Sequence, residues 1–293
     1  MKTPPESIDL AYFSGTGNTE YLVRRLAEKF SRRGIPVRPV RIEDVPTGYA
    51  PPAAAVLGLA YPVHALNAPS PVFDFIASLP DGEGRKAFLL KGPADPFFDG
   101  GSSHLVILAL KGRGWEVFHE GMAVMPSNIF IRYPDDFIRL LLRAADNRLE
   151  RISAGVAAGA VRLENPGPVA RFLTRHLSRL ESRGGKYFGR DLEASSACDL
   201  CRVCVQSCPV GNIREEAGKI VFGDRCIICM RCLYLCPRGA IRPRLFRFFP
   251  LKRWYDLGAV SAAGPGQNAS GGKAGSGLRR FFRRYLESSR GED

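Results

Sequence analysis

The chain has 293 residues, 45% of them hydrophobic and 24% charged, and these values exclude an intrinsically disordered or collagen-like chain. The formal net charge is +13. Lys and Arg outnumber Asp and Glu by one over residues 1–165, by five over 166–241 and by seven over 242–293, and all eight cysteines fall between Cys198 and Cys236. The length favours two domains, and the composition divides the chain into a nearly neutral half and a basic half that holds the cysteines.

Strand and helix signals alternate along the first half. Short apolar runs predict strands at residues 8–13, 37–41, 53–60, 87–90 and 115–118. Apolar residues with helical spacing predict helices at 19–33, 71–79 and 103–113. A long helix is predicted after Pro134, with an apolar stripe of Phe137, Leu141, Ala144, Ala145, Leu149, Ile152 and Val156. This alternation implies a parallel sheet with helices on both faces, and five strands suit the doubly wound order 2-1-3-4-5.

The second half begins with a basic helix, predicted from about Val169 to Arg183 and expected to end at Gly184 and Gly185. A flexible Gly/Ser-rich segment, Gly264–Gly277, precedes a short basic tail. The predicted organisation is a first domain at 1–165, a helical linker at 166–189, a cysteine-containing domain at 190–256, and a flexible linker with the tail at 257–293.

No part of the sequence predicts export or membrane insertion. The N-terminal residues contain neither an apolar stretch nor a cleavage site. Six prolines interrupt the uncharged segment 45–73, which excludes a spanning helix there. We therefore expect a cytoplasmic protein, and in a reducing cytoplasm clustered cysteines favour metal ligation over disulfides.

The cysteines form an internal repeat of 28 residues with the spacing C-x2-C-x2-C-x3-C-P in both copies. This spacing holds [4Fe-4S] clusters in bacterial ferredoxins, where the fourth cysteine of each run ligates the other cluster. On that rule the first cluster is predicted to take Cys198, Cys201, Cys204 and Cys236. The second is predicted to take Cys208, Cys226, Cys229 and Cys232. A zinc ribbon would leave four cysteines unused.

The segment between the first strand and the first helix consists of Ser14, Gly15, Thr16, Gly17, Asn18 and Thr19. Hydroxyl and backbone N–H groups at a helix N-terminus form a nest for a phosphate dianion. A dinucleotide fingerprint would need glycine at Glu20, and a P-loop would need Gly-Lys-Ser/Thr, which the segment lacks. An ordinary capped helix is the remaining alternative.

With Tyr12 and Phe13 in front, this loop resembles the FMN-phosphate signature of the flavodoxin family, and the overall pattern is similar over residues 7–160. The resemblance implies that the loop holds the FMN phosphate and that the loops after the third and fourth strands flank the flavin ring. The ring-site residues implied are Tyr61, Pro62, Val63, His64, Ala65, Asn67, Lys91 and Gly92. Tyr61, Phe97 and Phe98 are candidates for stacking on the ring.

Taken whole, the chain resembles the family of fusions between a flavodoxin and a bacterial-type two-cluster ferredoxin, often labelled ferrodoxins, and the sequence Met125-Pro126-Ser127-Asn128 fits that likeness. The resemblance implies an α/β flavodoxin-like domain with strand order 2-1-3-4-5, followed by a small α+β ferredoxin domain with two [4Fe-4S] clusters. The implied function is electron transfer between FMN and the clusters, which would couple two-electron and one-electron partners. A reductase of a small substrate and a redox sensor remain alternatives.

The basic tail has an amphipathic pattern. Its apolar face consists of Leu278, Phe281, Phe282, Tyr285 and Leu286, with arginines opposite. Such a face suits docking on the protein or a partner, or peripheral contact with an anionic membrane, and nucleic acid is the least favoured ligand. The positive second half further predicts an acidic redox partner, such as a ferredoxin or a flavodoxin.

Overall fold

The computed structural model describes residues 4–46, 48–64, 66–96, 101–263 and 273–290. The strands are β1 (Ser7–Tyr12), β2 (Val37–Arg41), β3 (Ala55–Pro62), β4 (Lys86–Gly92), β5 (Glu116–Met122), β6 (Leu192–Ala194), β7 (Ile213–Glu216), β8 (Lys219–Phe222) and β9 (Ile241–Pro243). The helices are α1 (Asn18–Arg32), α2 (Ser70–Ser78), α3 (His104–Gly112), α4 (Asp135–Ala157), α5 (Pro168–Asp191), α6 (Val203–Gln206), α7 (Arg231–Leu235), α8 (Leu257–Ala262), α9 (Lys273–Phe281) and α10 (Arg283–Arg290). In these ranges no helix combines the length and the apolar character needed to cross a membrane.

The first half is a parallel five-stranded sheet with the order β2-β1-β3-β4-β5. This order confirms the predicted flavodoxin-like fold, in which helices cover both faces of the sheet. One apolar core packs α1 and α4 against one face, and a second packs α2 and α3 against the other. The predicted stripe of α4 is confirmed, because all seven of its apolar residues are buried. The sheet therefore brings the ends of β1, β3, β4 and β5 to one edge, where ligands bind in such folds.

The cysteine-containing half folds around two short antiparallel ladders, β6 with β9 and β7 with β8. Helix α5 packs on this half and continues to Asp191, so the predicted end at Gly184 and Gly185 is wrong. A Cβ on Gly185 would lie 2.2 Å from the carbonyl oxygen of Cys226. The glycine therefore permits a close approach between helix and cysteine loop instead of ending the helix.

The chain then returns to the first domain. Leu251, Tyr255 and Val260 join the core between the sheet and α4, as do three residues of the tail. Of the predicted linker Gly264–Gly277, residues 264–272 lie outside the described residues, and the rest begins α9. Phe282, Tyr285 and Leu286 of the apolar face are thus covered by this same chain, whereas Phe281 is half exposed. Contact of that face with a membrane would require the tail to leave α4.

Replacing Phe282 with alanine is expected to destabilise the protein by about 3 kcal/mol, because a large buried side chain leaves a cavity. Phe282 is 1% exposed and its ring lies 5.3 Å from the ring of Phe137 and 5.9 Å from that of Tyr133. Its neighbour Phe281 is 51% exposed and is the matched control. Urea unfolding should show a lower midpoint for F282A and little change for F281A. Equal midpoints would contradict the docked tail.

Candidate cofactor site at the domain interface

The predicted phosphate loop lies between β1 and the N-terminus of α1. The Ser14 Oγ accepts hydrogen bonds from the backbone N–H groups of Gly17, at 3.1 Å, and Glu20, at 3.3 Å. Gly17 has a φ of +95°, which only glycine adopts readily, and this turns the chain into the helix. The Oγ1 of Thr19 is buried and makes no hydrogen bond among the described residues. The loop therefore has both the backbone shape and an unsatisfied hydroxyl for an anionic ligand.

A groove runs from this loop across the ends of the strands. Its lining consists of Ser14, Gly15, Thr16, Asn18, Thr19, Pro62, Val63, His64, Gly92, Pro93, Ala94, Met125, Pro126 and Asn128. We call it the strand-end groove. It brings together most of the residues predicted to hold the cofactor. Met125, Pro126 and Asn128 were noted in the sequence only as part of a family likeness, without a site role.

Two predicted ring-site residues lie elsewhere. Tyr61 is fully buried in the core and its hydroxyl donates to the carbonyl of Ser102 at 3.4 Å. The Lys91 Nζ is buried too, and it donates to a carboxylate oxygen of Glu164 at 2.8 Å and lies 3.3 Å from one of Glu120. Tyr61 and Lys91 pair across β3 and β4, which both run two residues further than predicted. Their placement in loops is therefore wrong, because both residues still belong to the sheet, and their assignment to the ring site stays a prediction.

Asn67, also predicted at the ring site, shapes the loop after β3 but does not line the groove. The backbones of His64 and Asn67 exchange two hydrogen bonds of 2.8 Å, which close a tight loop. The Oδ1 of Asn67 is buried and has no hydrogen-bond partner within the described residues. Ala65 and the stacking candidates Phe97 and Phe98 lie outside the described residues.

The second cysteine run packs directly on the strand-end groove. A Cβ on Gly15 would lie 2.6 Å from the carbonyl oxygen of Cys229, so only glycine allows this approach. The ring of His64 is hydrogen-bonded to the backbone of Ile227, and burial lowers the pKa of His64 to about 4. His64 is therefore a neutral imidazole at pH 7. The domains meet at the predicted cofactor loops themselves.

Arg231 links the two domains by a network of hydrogen bonds. Its buried guanidinium donates to the carbonyls of Ser14 at 2.7 Å and Gly15 at 3.2 Å in the phosphate loop. On the other side it donates to the carbonyl of Ser207 at 2.8 Å and pairs with the carboxylate of Glu43. A single cation thus ties the second cysteine motif, the phosphate loop and the segment after β2 together.

A stack of three aromatic rings forms a second link. Trp254 lies 4.2 Å from the ring of Tyr234 and 4.3 Å from that of Tyr255, measured between centroids. The hydroxyl of Tyr234 donates to the Asn128 carbonyl at 2.8 Å. The hydroxyl of Tyr255 donates to the Pro126 carbonyl at 2.9 Å. Both tyrosines therefore hold the groove rim that follows β5.

A larger interdomain cleft of about 500 Å³ opens on the other side of the phosphate loop. One wall is formed by residues 14–17 and the segment after β2, and the other by Cys208, Arg231 and Trp254 with their neighbours. The Oγ of Ser207, in the second wall, is buried and makes no hydrogen bond within the described residues. The cleft therefore places polar groups of both domains around one space.

The two cysteine runs have the same backbone conformation. Leu200 and Arg202 have φ values of +59° and +61°, and their counterparts 28 residues later, Ile228 and Met230, have +52° and +62°. The N–H of Asn212 donates to the Cys208 sulfur at 3.2 Å, and that of Ala240 donates to the Cys236 sulfur at 3.3 Å. The sequence repeat is therefore a structural repeat, with N–H groups aimed at equivalent sulfurs.

All four cysteines of the second predicted set, and three of the four in the first, lie close to other members of their own set. Cys208, Cys226, Cys229 and Cys232 line one small apolar cavity, and Cys204 interacts electrostatically with Cys198 and Cys236. No disulfide joins the eight cysteines, all of which are described. As the side chains stand, no group of three or more His, Cys, Asp or Glu in the described ranges is arranged to hold a metal ion.

Replacing Gly15 with alanine is expected to push the second cysteine run away from the phosphate loop. The new Cβ would meet a backbone oxygen, and such overpacking costs about 1–3 kcal/mol. Thermal unfolding should show a lower midpoint. Gly112→Ala is the matched control, because nothing lies within 4 Å of its Cβ position. If both variants melt like the wild type, the close contact with Cys229 is contradicted.

Comparisons with known proteins assign the chain to no protein family. No protein-family model and no curated protein matches the chain. The two-electron reduced Megasphaera elsdenii flavodoxin is similar at 22% identity and a TM-score of 0.37, over 52% of this chain and 98% of that one. A flavodoxin of Streptococcus pneumonia TIGR4 is similar at 17% identity and a TM-score of 0.37, over 52% and 98%. The rubredoxin oxygen:oxidoreductase of Desulfovibrio gigas is similar at 14% identity and a TM-score of 0.35, over 54% of this chain and 38% of that one. The sheet order β2-β1-β3-β4-β5 itself defines the flavodoxin-like fold.

Proposed function

We propose that the chain transfers electrons between an FMN at the strand-end groove and two [4Fe-4S] clusters on the two cysteine sets. The observation that carries the proposal is the direct contact of the second cysteine run with the phosphate loop, through the backbone of Cys229 and the guanidinium of Arg231. FMN exchanges two electrons and each cluster exchanges one. The chain's part is to hold these centres close together and shielded from water.

The phosphate end of the groove fits FMN. The unsatisfied Thr19 hydroxyl and the N-terminus of α1 are suitable partners for a phosphate dianion. The groove itself encloses only about 40 Å³, whereas pockets for drug-sized ligands have about 300–1,000 Å³. The side chain of Asn128 crosses it and donates to the Thr16 hydroxyl at 3.2 Å. We therefore expect Asn128 to move aside when a flavin ring enters.

The cysteine sets fit iron–sulfur clusters in their chemistry. Burial raises the pKa of Cys226 to about 12 and that of Cys229 to about 11, so both thiols keep their protons at neutral pH until a metal displaces them. The N–H groups that point at Cys208 and Cys236 would then stabilise the thiolates. We place the protein in the cytoplasm, where reducing conditions keep thiols free for metal.

The two sets have different positions in the proposed path. The second set adjoins the phosphate loop, and Cys229 is buried there. The first set includes Cys201, which is exposed to solvent. We therefore assign the second cluster to exchange with the flavin and the first to exchange with external partners.

Anaerobic analysis of flavin, iron and acid-labile sulfide in the purified full chain tests the proposal. About one FMN with about eight iron and eight sulfide per chain is the expected result. Iron without flavin would contradict the FMN site and leave the first domain with a structural role only. Zinc in place of iron would contradict electron transfer altogether.

A reductase of a small substrate is the second candidate, and the interdomain cleft favours it. Its volume of about 500 Å³ lies within the range of small-molecule sites, and its walls include Cys208 and the phosphate loop. A substrate there would lie beside both proposed redox centres. Steady-state reduction of an added small acceptor that is lost in Ser207→Trp, with cofactor content unchanged, would favour the enzyme over the carrier.

A further inference from the structure

An exposed apolar patch lies where the two domains meet. Its members, Phe130, Ile131, Leu245 and Phe248, are each at least half exposed, and we call them the docking patch. The rings of Phe130 and Phe248 are nearly parallel, with an interplanar angle of 13° and centroids 6.2 Å apart. Scattered apolar residues are common on protein surfaces, but clustered ones mark interaction sites.

A strained turn holds Phe130 in this position. Its φ is +63°, and the Ile131 N–H donates to the Ile129 carbonyl at 2.7 Å, two residues back. A γ-turn with positive φ is rare and costly for a bulky residue. The Phe130 N–H donates to the Phe249 carbonyl at 2.8 Å, which fixes the turn against the second domain. The fold thus maintains an unfavourable backbone that presents an aromatic ring to solvent.

The docking patch lies directly over the cysteine-containing core. Phe249 contacts Phe130 on the outer side, with ring centroids 4.7 Å apart, and Phe188 on the inner side, at 5.3 Å. Phe188 belongs to the apolar core that also contains Cys204 and most of the other cysteines. A partner on the patch would therefore be separated from the apolar core that contains the cysteines by the rings of Phe249 and its neighbours.

The chain segment that carries Leu245 and Phe248 is rich in cations, although the buried Asp191 carboxylate accepts hydrogen bonds from the backbone N–H groups of Leu245 and Phe246. No Asp or Glu occurs between Asp224 and Asp256, whereas this interval holds eight Arg and Lys residues. The exposed cations nearest to the patch in sequence are Arg244, Arg247, Lys252 and Arg253. Within the described residues, no carboxylate forms an ion pair with any of these four. Exposed rings that are followed in sequence by cations without ion-pair partners are complementary to an acidic surface with an apolar centre.

From these observations we infer that the docking patch binds an acidic one-electron carrier protein. An anionic membrane would match the rings and the charge, but it would not account for their position over the cysteine core. The inference rests on the proposed electron-transfer function, because it names the external partner that exchanges electrons with the clusters. Rings supply the contact area, and the arginines steer the encounter.

Calorimetric titration of the full chain with a purified acidic ferredoxin tests the inference. Phe248→Ser is expected to weaken binding at least tenfold, and Phe172→Ser is the matched control, because the two rings are 62% and 60% exposed. Arg247→Glu should also weaken binding and reduce its salt dependence. Arg151→Glu is the control for charge reversal, because Arg151 is exposed in α4, and it should leave the affinity and its salt dependence unchanged.

Three results would overturn the inference. The first is that the chain does not bind the ferredoxin even at low salt. The second is that F248S and F172S lose the same amount of affinity for the ferredoxin. The third is that Phe248 is needed for binding to phosphatidylglycerol vesicles but not for binding to the ferredoxin. Calorimetry needs no turnover, so binding is measured separately from electron transfer. Failure of the proposed function would appear instead as missing iron or flavin in a protein that still binds the ferredoxin through the docking patch.

Discussion

Replacing Cys208 with alanine is expected to remove about four of the eight iron atoms per chain and to leave the cluster of the first run in place. Cys208 ends the first run in sequence, yet it lines one cavity with the cysteines of the second run. Loss of this one thiolate should therefore empty the second site. Iron analysis and electron paramagnetic resonance of the reduced protein would measure the loss.

The matched variant Cys236→Ala should also lose about four iron atoms, but from the other site. Because the second run packs on the phosphate loop through Cys229, C208A should retain less FMN than the wild type, whereas C236A should retain a normal amount. Equal FMN retention in both variants would contradict the assignment of the second cluster to the flavin side.

Replacing Arg231 with methionine is expected to destabilise the interface by about 3–5 kcal/mol, because removal of one partner of a buried ion pair leaves the other uncompensated. Here the uncompensated group is the carboxylate of Glu43, together with the carbonyls of Ser14 and Gly15. Anaerobic urea unfolding should show the loss as a lower midpoint. Iron content near that of the wild type would show that docking, and not cluster binding, was lost.

Arg238→Met is the control for this prediction. Arg238 follows the last cysteine of the second run and pairs with Asp199, but both side chains are exposed to solvent. An exposed pair contributes little, so R238M should unfold like the wild type. Glu43→Gln completes the comparison, and the double variant with R231M should be less destabilised than the sum of the two single variants. Strict additivity would be evidence against the ion pair.

Local signals predicted much of this molecule. Strand order, the stripe of α4 and the spacing of the cysteine runs each depend on residues that are close in sequence. Tyr61 and Lys91 were predicted in loops but lie in strands, because strand ends carry a weak signal and both strands extend two residues further. Gly185 indicated a helix end, although its role is contact with Cys226.

The contacts that build the interface had no local signal at all. Arg231 reaches the phosphate loop across more than 200 residues, and Tyr255 reaches Asn18 across a similar separation. Arg231 stands inside a cysteine motif, where any residue type fits the spacing. Only the packing of the two domains identifies it as a buried cation, and no periodicity could have indicated its partners.

Residues near the C-terminus pack into the core of the first domain, so that core can be completed only late in synthesis. The ribosome releases β1 to α4 long before it adds Tyr255 and Phe282, which complete the core on α4. Domains commonly fold as they emerge, N-terminal part first. Here the core of the first domain still lacks Tyr255 and Phe282 while the cysteine runs emerge from the ribosome. The first domain therefore completes its core only after both cysteine runs have been synthesised.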